Sequence, residues 1–85
     1  MTFELIFDEK AIDFLNDLPK ELKKRIFNKI KSTKENPIHF FERLEGRTDY
    51  KLRVGDYRII ADIDGNSKKI TVTMVGHRKN IYQNI

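Results

Sequence analysis

Lys51, Arg53 and Arg58 are the residues of this chain whose types and spacing best suit chemistry. They sit in Tyr50-Lys51-Leu52-Arg53-Val54-Gly55-Asp56-Tyr57-Arg58-Ile59-Ile60, where apolar and charged residues alternate on both sides of a Gly-Asp pair. That pattern predicts a β-hairpin with a two-residue turn. Counting outward from the turn sets Val54 opposite Tyr57, Arg53 opposite Arg58, Leu52 opposite Ile59 and Lys51 opposite Ile60. Side chains alternate along a strand, so the three cations share one face. Like charges directly opposite one another destabilise a sheet. An anion held between them offsets that cost. A solvated face on which the side chains splay apart is the plainer alternative.

The segment Gly76-His77-Arg78-Lys79-Asn80-Ile81-Tyr82 shifts the balance toward a site. Gly76 permits a bulge or bend that brings Arg78 to Arg58 at one end of the sheet. Two guanidinium forks suit a phosphate whose negative charge grows in a transition state. Tyr82 can stack on a base or hold a hydroxyl, or else cap the core. Imidazole titrates near neutrality, so His77 can move a proton, with a backbone-bonded strand-end histidine as the alternative. The basic residues from Lys20 to Lys34 form a solvated helix face or a grip on an RNA backbone.

Other chemistries find little support. The two histidines are far apart and lack metal-ligand spacing. The four glycines are isolated, so there is no phosphate-cradling loop. Asp62 and Asp64 lack a third carboxylate for magnesium. Ser32 and Ser67 stand away from either histidine. No cofactor and no metal are expected.

The elements that must position these residues fit one small domain, 1–85. There is no cysteine, so the core rests on the 39% of apolar residues, six of them Phe. Seventeen Lys and Arg against thirteen Asp and Glu give a net charge of +4, which fits an acidic partner without requiring one. No apolar run reaches the ~18 residues of a spanning helix. Met1-Thr2-Phe3-Glu4 carries neither a basic n-region nor a cleavage site, so a cytoplasmic location is expected. Phe3, Leu5 and Phe7 predict a first strand. Asp8 suits an N-cap before a helix marked by Ala11, Ile12, Leu15 and Leu18. After Pro19, Leu22, Ile26, Phe27 and Ile30 mark a second helix to about Glu35, stopped by Asn36-Pro37. Strands follow at about 49–54, 57–63 and 70–76, the last two joined across Asp64-Gly65-Asn66-Ser67. Setting Ile63 opposite Ile70 puts Tyr57, Ile59, Ala61, Val72 and Met74 on the helix-covered face. Arg53, Arg58, Asp62, Thr71, Thr73 and His77 then lie on the other face, with Ile60 and Val75 exposed among them. The expected fold is α+β, β-α-α-β-β-β, an antiparallel sheet with a two-helix hairpin packed on one face.

Leu44-Glu45-Gly46, the Tyr50–Ile60 hairpin, Val75-Gly76-His77-Arg78 and Tyr82 together resemble the RelE toxins of the RelE/ParE superfamily, a microbial-RNase-like fold. The element order and length agree over essentially the whole chain. The resemblance implies a toxin of a type II toxin–antitoxin pair, an endoribonuclease that cuts messenger RNA in the ribosomal A site and is silenced by a RelB-like antitoxin. It implies metal-free attack of a 2′-hydroxyl on the adjacent phosphate, leaving a 2′,3′-cyclic phosphate and a 5′-hydroxyl. Lys51, Arg58, Arg78 and Tyr82 match the family's catalytic positions. His77 stands where a lysine is usual and is expected to share the acid–base work. Arg53, Arg47 and Lys79 are the expected RNA contacts. A second family lysine upstream of Lys51 has no counterpart, since Asp49 and Tyr50 stand there. A ParE-type gyrase poison and a non-catalytic binding module of the same fold are the alternatives.

Overall fold

The computed structural model describes residues 2–77 and 79. Strand β1 (Glu4–Phe7) is followed by helices α1 (Glu9–Asn16) and α2 (Lys20–Ser32) and a single turn, α3 (Pro37–Phe40). Four strands complete the chain: β2 (Glu42–Arg43), β3 (Tyr50–Val54), β4 (Tyr57–Asp64) and β5 (Lys69–His77). They form one five-stranded sheet in the order β1-β5-β4-β3-β2. The α+β architecture is the expected one, with two differences. The first strand pairs parallel to β5, Leu5 opposite Ile70, whereas the other pairs are antiparallel. A parallel pair needs a long crossover, and the two helices between β1 and the rest supply it. The second difference is β2, two residues that pair Glu42 with Lys51 and Arg43 with Tyr50.

Local chemistry sets the helix ends. Asp8 is extended at the head of α1, and its carbonyl accepts the Ile12 N–H at 3.0 Å, but its carboxylate makes no capping bond. Helix α2 stops at Ser32, short of Glu35. The buried Thr33 hydroxyl donates to the Ile30 carbonyl at 2.6 Å, a local bond that competes with the helical pattern. Phe3 N–H donates to the Lys34 carbonyl at 2.9 Å and ties the first strand to the end of α2. Ala11 and Leu15 of α1 and Ile26 and Ile30 of α2 bury against Leu52, Ile59, Ala61, Ile70 and Val72 of the sheet.

The hairpin register is the one counted from the turn: Val54–Tyr57, Arg53–Arg58, Leu52–Ile59, Lys51–Ile60. Gly55 has φ +60° at the first turn position, the geometry of a II′ turn, which glycine adopts without steric cost.

Between β4 and β5 the expected register holds only part of the way. Ile63 faces Ile70 and Ala61 faces Val72, but Ile60 faces Met74, leaving Thr73 as the extra residue of a bulge. The Thr73 hydroxyl donates to the Ile60 carbonyl at 3.3 Å across it. Every later side chain of β5 therefore changes face. Val75 enters the main core, while Met74 joins Leu44 and Ile60 in a small cluster on the opposite face. The expected exposure of Ile60 and Val75 is corrected: they are 1% and 3% exposed. The bend expected at Gly76 is absent, since the strand runs on to His77 and the irregularity sits at Thr73.

Candidate functional site

Three of the expected site residues come together on the solvent face of the sheet. Arg53 and Arg58 are directly opposed, and Lys51 lies two residues along β3 on the same face. Both arginines turn toward the hairpin tip. Arg53 Nε donates to the Gly55 carbonyl at 3.3 Å, and Arg58 Nη1 donates to the same carbonyl at 3.4 Å and to that of Tyr57 at 3.3 Å. Backbone oxygens hold the two guanidinium groups beside each other, and neither forms a salt bridge among the described residues. Lys51 is one third exposed, with its ammonium 3.9 Å from Glu42 Oε2.

His77 is not with them. The bulge sets it opposite Tyr57 on the helix-covered face, ring centroids 5.4 Å apart, and the same Tyr57 ring meets Phe14 edge-on at 6.4 Å. Its Nδ1 accepts the Lys79 N–H at 3.2 Å, which in the neutral ring leaves the proton on Nε2. The expected face for His77 is thus corrected, and the physical reason is the one-residue register change. Lys79 is exposed just beyond β5. Arg78 and Tyr82 lie outside the described residues.

Arg47 is engaged elsewhere. Its guanidinium makes a two-bond fork with Asp49, Nε to Oδ1 at 2.8 Å and Nη2 to Oδ2 at 2.9 Å. Those bonds hold the Asp49 carboxyl below the usual carboxylate range and raise Arg47 further. Asp49 therefore serves as an anchor for Arg47. The pair borders an open cleft of about 1100 Å³ over the sheet, which Glu45, Asp62 and Thr73 also line. Strand geometry of roughly 3.3 Å per residue separates Asp62 from Arg58 by about 13 Å along β4. The Arg47 end and the Arg53–Arg58 end are distinct parts of one surface.

One cation escaped the sequence reading. The Arg25 guanidinium of α2 reaches the hairpin tip, where a Cβ built on Gly55 lies 3.4 Å from its Nη2. The available signal was the spacing of Arg25, Asn28, Lys29 and Ser32, which puts polar residues on one stripe of α2. Among the described residues no three His, Asp or Glu side chains gather in a way that would hold a metal ion. No described helix is long and apolar enough to cross a membrane.

A mixed five-stranded sheet with a helical hairpin on one face and a cationic hairpin tip on the other defines a small α+β domain with an anion-attracting surface. The model of the ParE toxin of type II toxin–antitoxin systems matches residues 5–82, and the chain belongs to that family. Among solved structures, the archaeal RelE–RelB complex of Pyrococcus horikoshii is 25% identical with a TM-score of 0.79, covering 94% of this chain and 99% of that one. The RelB–RelE complex of Methanococcus jannaschii is 26% identical with a TM-score of 0.72, covering 94% and 98%. The RelBE2 complex of Mycobacterium tuberculosis is 21% identical with a TM-score of 0.81, covering 92% and 100%, a likeness of fold. No curated protein sequence matches the chain.

Proposed function

We propose that this toxin is a RelE-type endoribonuclease that cuts messenger RNA in the ribosomal A site and thereby inhibits translation. The observation that carries the reading is the Arg53–Arg58 pair beside Lys51, held on a solvent face by backbone carbonyls, with no carboxylate among the described residues paired to either arginine. In the proposed reaction the 2′-oxygen forms a bond to phosphorus, the bond from phosphorus to the 5′-oxygen breaks, and a cyclic phosphate and a 5′-hydroxyl result. Arginine stays protonated at accessible pH, so Arg58 stabilises the charge that grows on the phosphate rather than moving a proton. Lys51, which shares that face with Arg53 and Arg58, is assigned the 2′-proton, the role the resemblance implies for it. Arg78 and Tyr82 keep the roles implied by the resemblance, a second charge-stabilising fork and a group at the leaving oxygen or base. His77, on the other face, accepts the Lys79 N–H at Nδ1 and stands apart from the Arg53–Arg58 pair.

The partner in the cell is an antitoxin of the RelB kind, as in the Pyrococcus and Methanococcus complexes. Primer extension on messenger RNA translated in the presence of the toxin tests the reading. Discrete cuts within codons are expected, and their survival in EDTA once ribosome integrity is controlled for. Intact messenger RNA would sink it. The family match itself supports a second reading, a ParE-type poison of DNA gyrase. Inhibition of supercoiling with messenger RNA left whole would establish that one instead.

A further inference from the structure

We propose that the groove between α2 and the β3–β4 turn is a phosphate-binding site for single-stranded RNA, adjoining the Arg58 face but separate from it. Arg25, Asn28, Lys29 and Ser32 of α2 line one wall, and Arg53, Val54 and Gly55 the other, around about 450 Å³. No lining residue is acidic, and among the described residues none of Arg25, Lys29 and Arg53 takes part in a salt bridge. The Lys29 ammonium rests 5.3 Å from the centroid of the Phe40 ring, and the Ser32 hydroxyl donates to the Lys29 carbonyl at 2.6 Å. The hydroxyl's remaining capacity toward a ligand is as an acceptor.

The turn brings the cluster together. A side chain at Gly55 would have to adopt φ +60°, and its Cβ would touch the Arg25 guanidinium at 3.4 Å, an ordinary contact distance. Arg25 closes on the turn whose carbonyl already accepts from Arg53 and Arg58. Three guanidinium groups thus meet around one exposed turn, and their mutual repulsion is relieved by a bound anion. Arg53 belongs both to the groove and to the Arg58 face, so the positive surface is continuous across the turn. A flexible chain that repeats its negative charge matches that continuity: one phosphate at Arg58 leaves neighbours within reach of Arg53 and Arg25. The Asn28 amide adds a donor and an acceptor suited to a sugar hydroxyl or a base edge. The choice of RNA over an acidic peptide rests on the cleavage reading of Arg58; the position of the site does not.

The test is a fluorescence-anisotropy titration of the full chain, without ribosomes, using a labelled single-stranded 2′-O-methyl RNA of about ten nucleotides, a length small domains cover. Such RNA cannot be cut by 2′-attack. Arg25→Ala and Lys29→Ala are each expected to weaken binding roughly threefold to tenfold and to lower the log–log salt slope by about one. Lys10→Ala and Lys69→Ala, exposed cations on other surfaces, are expected to stay within about twofold of the unaltered chain. Far-UV dichroism of each variant controls for folding. Equal losses in all four variants would mean that net charge alone binds RNA, and would overturn the proposal. A polyglutamate peptide that displaces the RNA at equal affinity, and is weakened by the same two substitutions, would reassign the groove to a protein ligand and overturn it too. Failure of the cleavage reading looks different: messenger RNA stays whole on the ribosome while this binding pattern persists.

Discussion

Arg58 and His77 were expected on one face, and the sheet now stands between them. That separation makes their substitutions diagnostic. Arg58→Ala should slow single-turnover cleavage on the ribosome on the order of 10²–10³-fold, the usual loss for one preorganised charge-stabilising donor. His77→Ala should leave the pH dependence of cleavage unchanged, because its ring packs on Tyr57 and bonds the Lys79 peptide. A cleavage profile that loses a limb near neutral pH in His77→Ala would return the proton to that histidine. Asp49 supplies a stability test. Its carboxyl titrates below its unfolded value because of the Arg47 bonds. The stabilisation is therefore fully present above the unfolded pKa, near 3.9, and fades as pH falls through the lower folded value. Asp49→Asn should flatten that acid limb in melting temperatures recorded from pH 6 down to 2, both values spanning the carboxylate range.

At the scale of elements, the bulge at Thr73 has the largest consequence. Val75→Ala, in the main core, should cost about 1.5–3 kcal/mol in denaturant unfolding. Met74→Ala, only half-buried in the small cluster, should cost less. A regular β4–β5 ladder would reverse that order. The turn offers a second test. Gly55→Ala should destabilise the fold by about 1 kcal/mol or more from positive φ alone, read as a fall in melting temperature. The helical hairpin was legible because Ala11, Leu15, Ile26 and Ile30 recur at helical spacing and are the helix residues that bury. The β3–β4 hairpin was legible for an equally local reason, since turn chemistry sets register.

For the whole molecule, the exposed apolar surface lies elsewhere than the strand pattern placed it. Ile60 and Val75 are buried, and among the described residues the exposed large apolar ones are Ile12, Phe27, Ile38 and Phe40, from the three helices. Charge remains the other handle, with a net +4 and an Arg53–Arg58 pair that makes no salt bridge among the described residues. If an acidic antitoxin segment covers that face, calorimetric affinity should fall as salt rises and fall again in Arg53→Glu. Affinity indifferent to both would place the inhibitory contact on the helices.

The residues themselves determined what is local. Alternation about Gly55-Asp56 specified which residues face one another from Lys51 to Ile60, and hence that two arginines and a lysine share a face. Apolar spacing specified the helices, and the absence of cysteine left the fold to its apolar core. Only the tertiary structure decided what depends on pairing distant segments. The bulge is a single extra residue that β-propensity does not mark, and it alone sends His77 to the helices and Val75 to the core. The parallel seat of β1 depends on where the helical crossover lands, and the fork between Arg47 and Asp49 on how the loop before β3 folds. Arg25 reaches the turn because α2 packs beside β3, a juxtaposition set by side chains some thirty residues apart that no local pattern encodes.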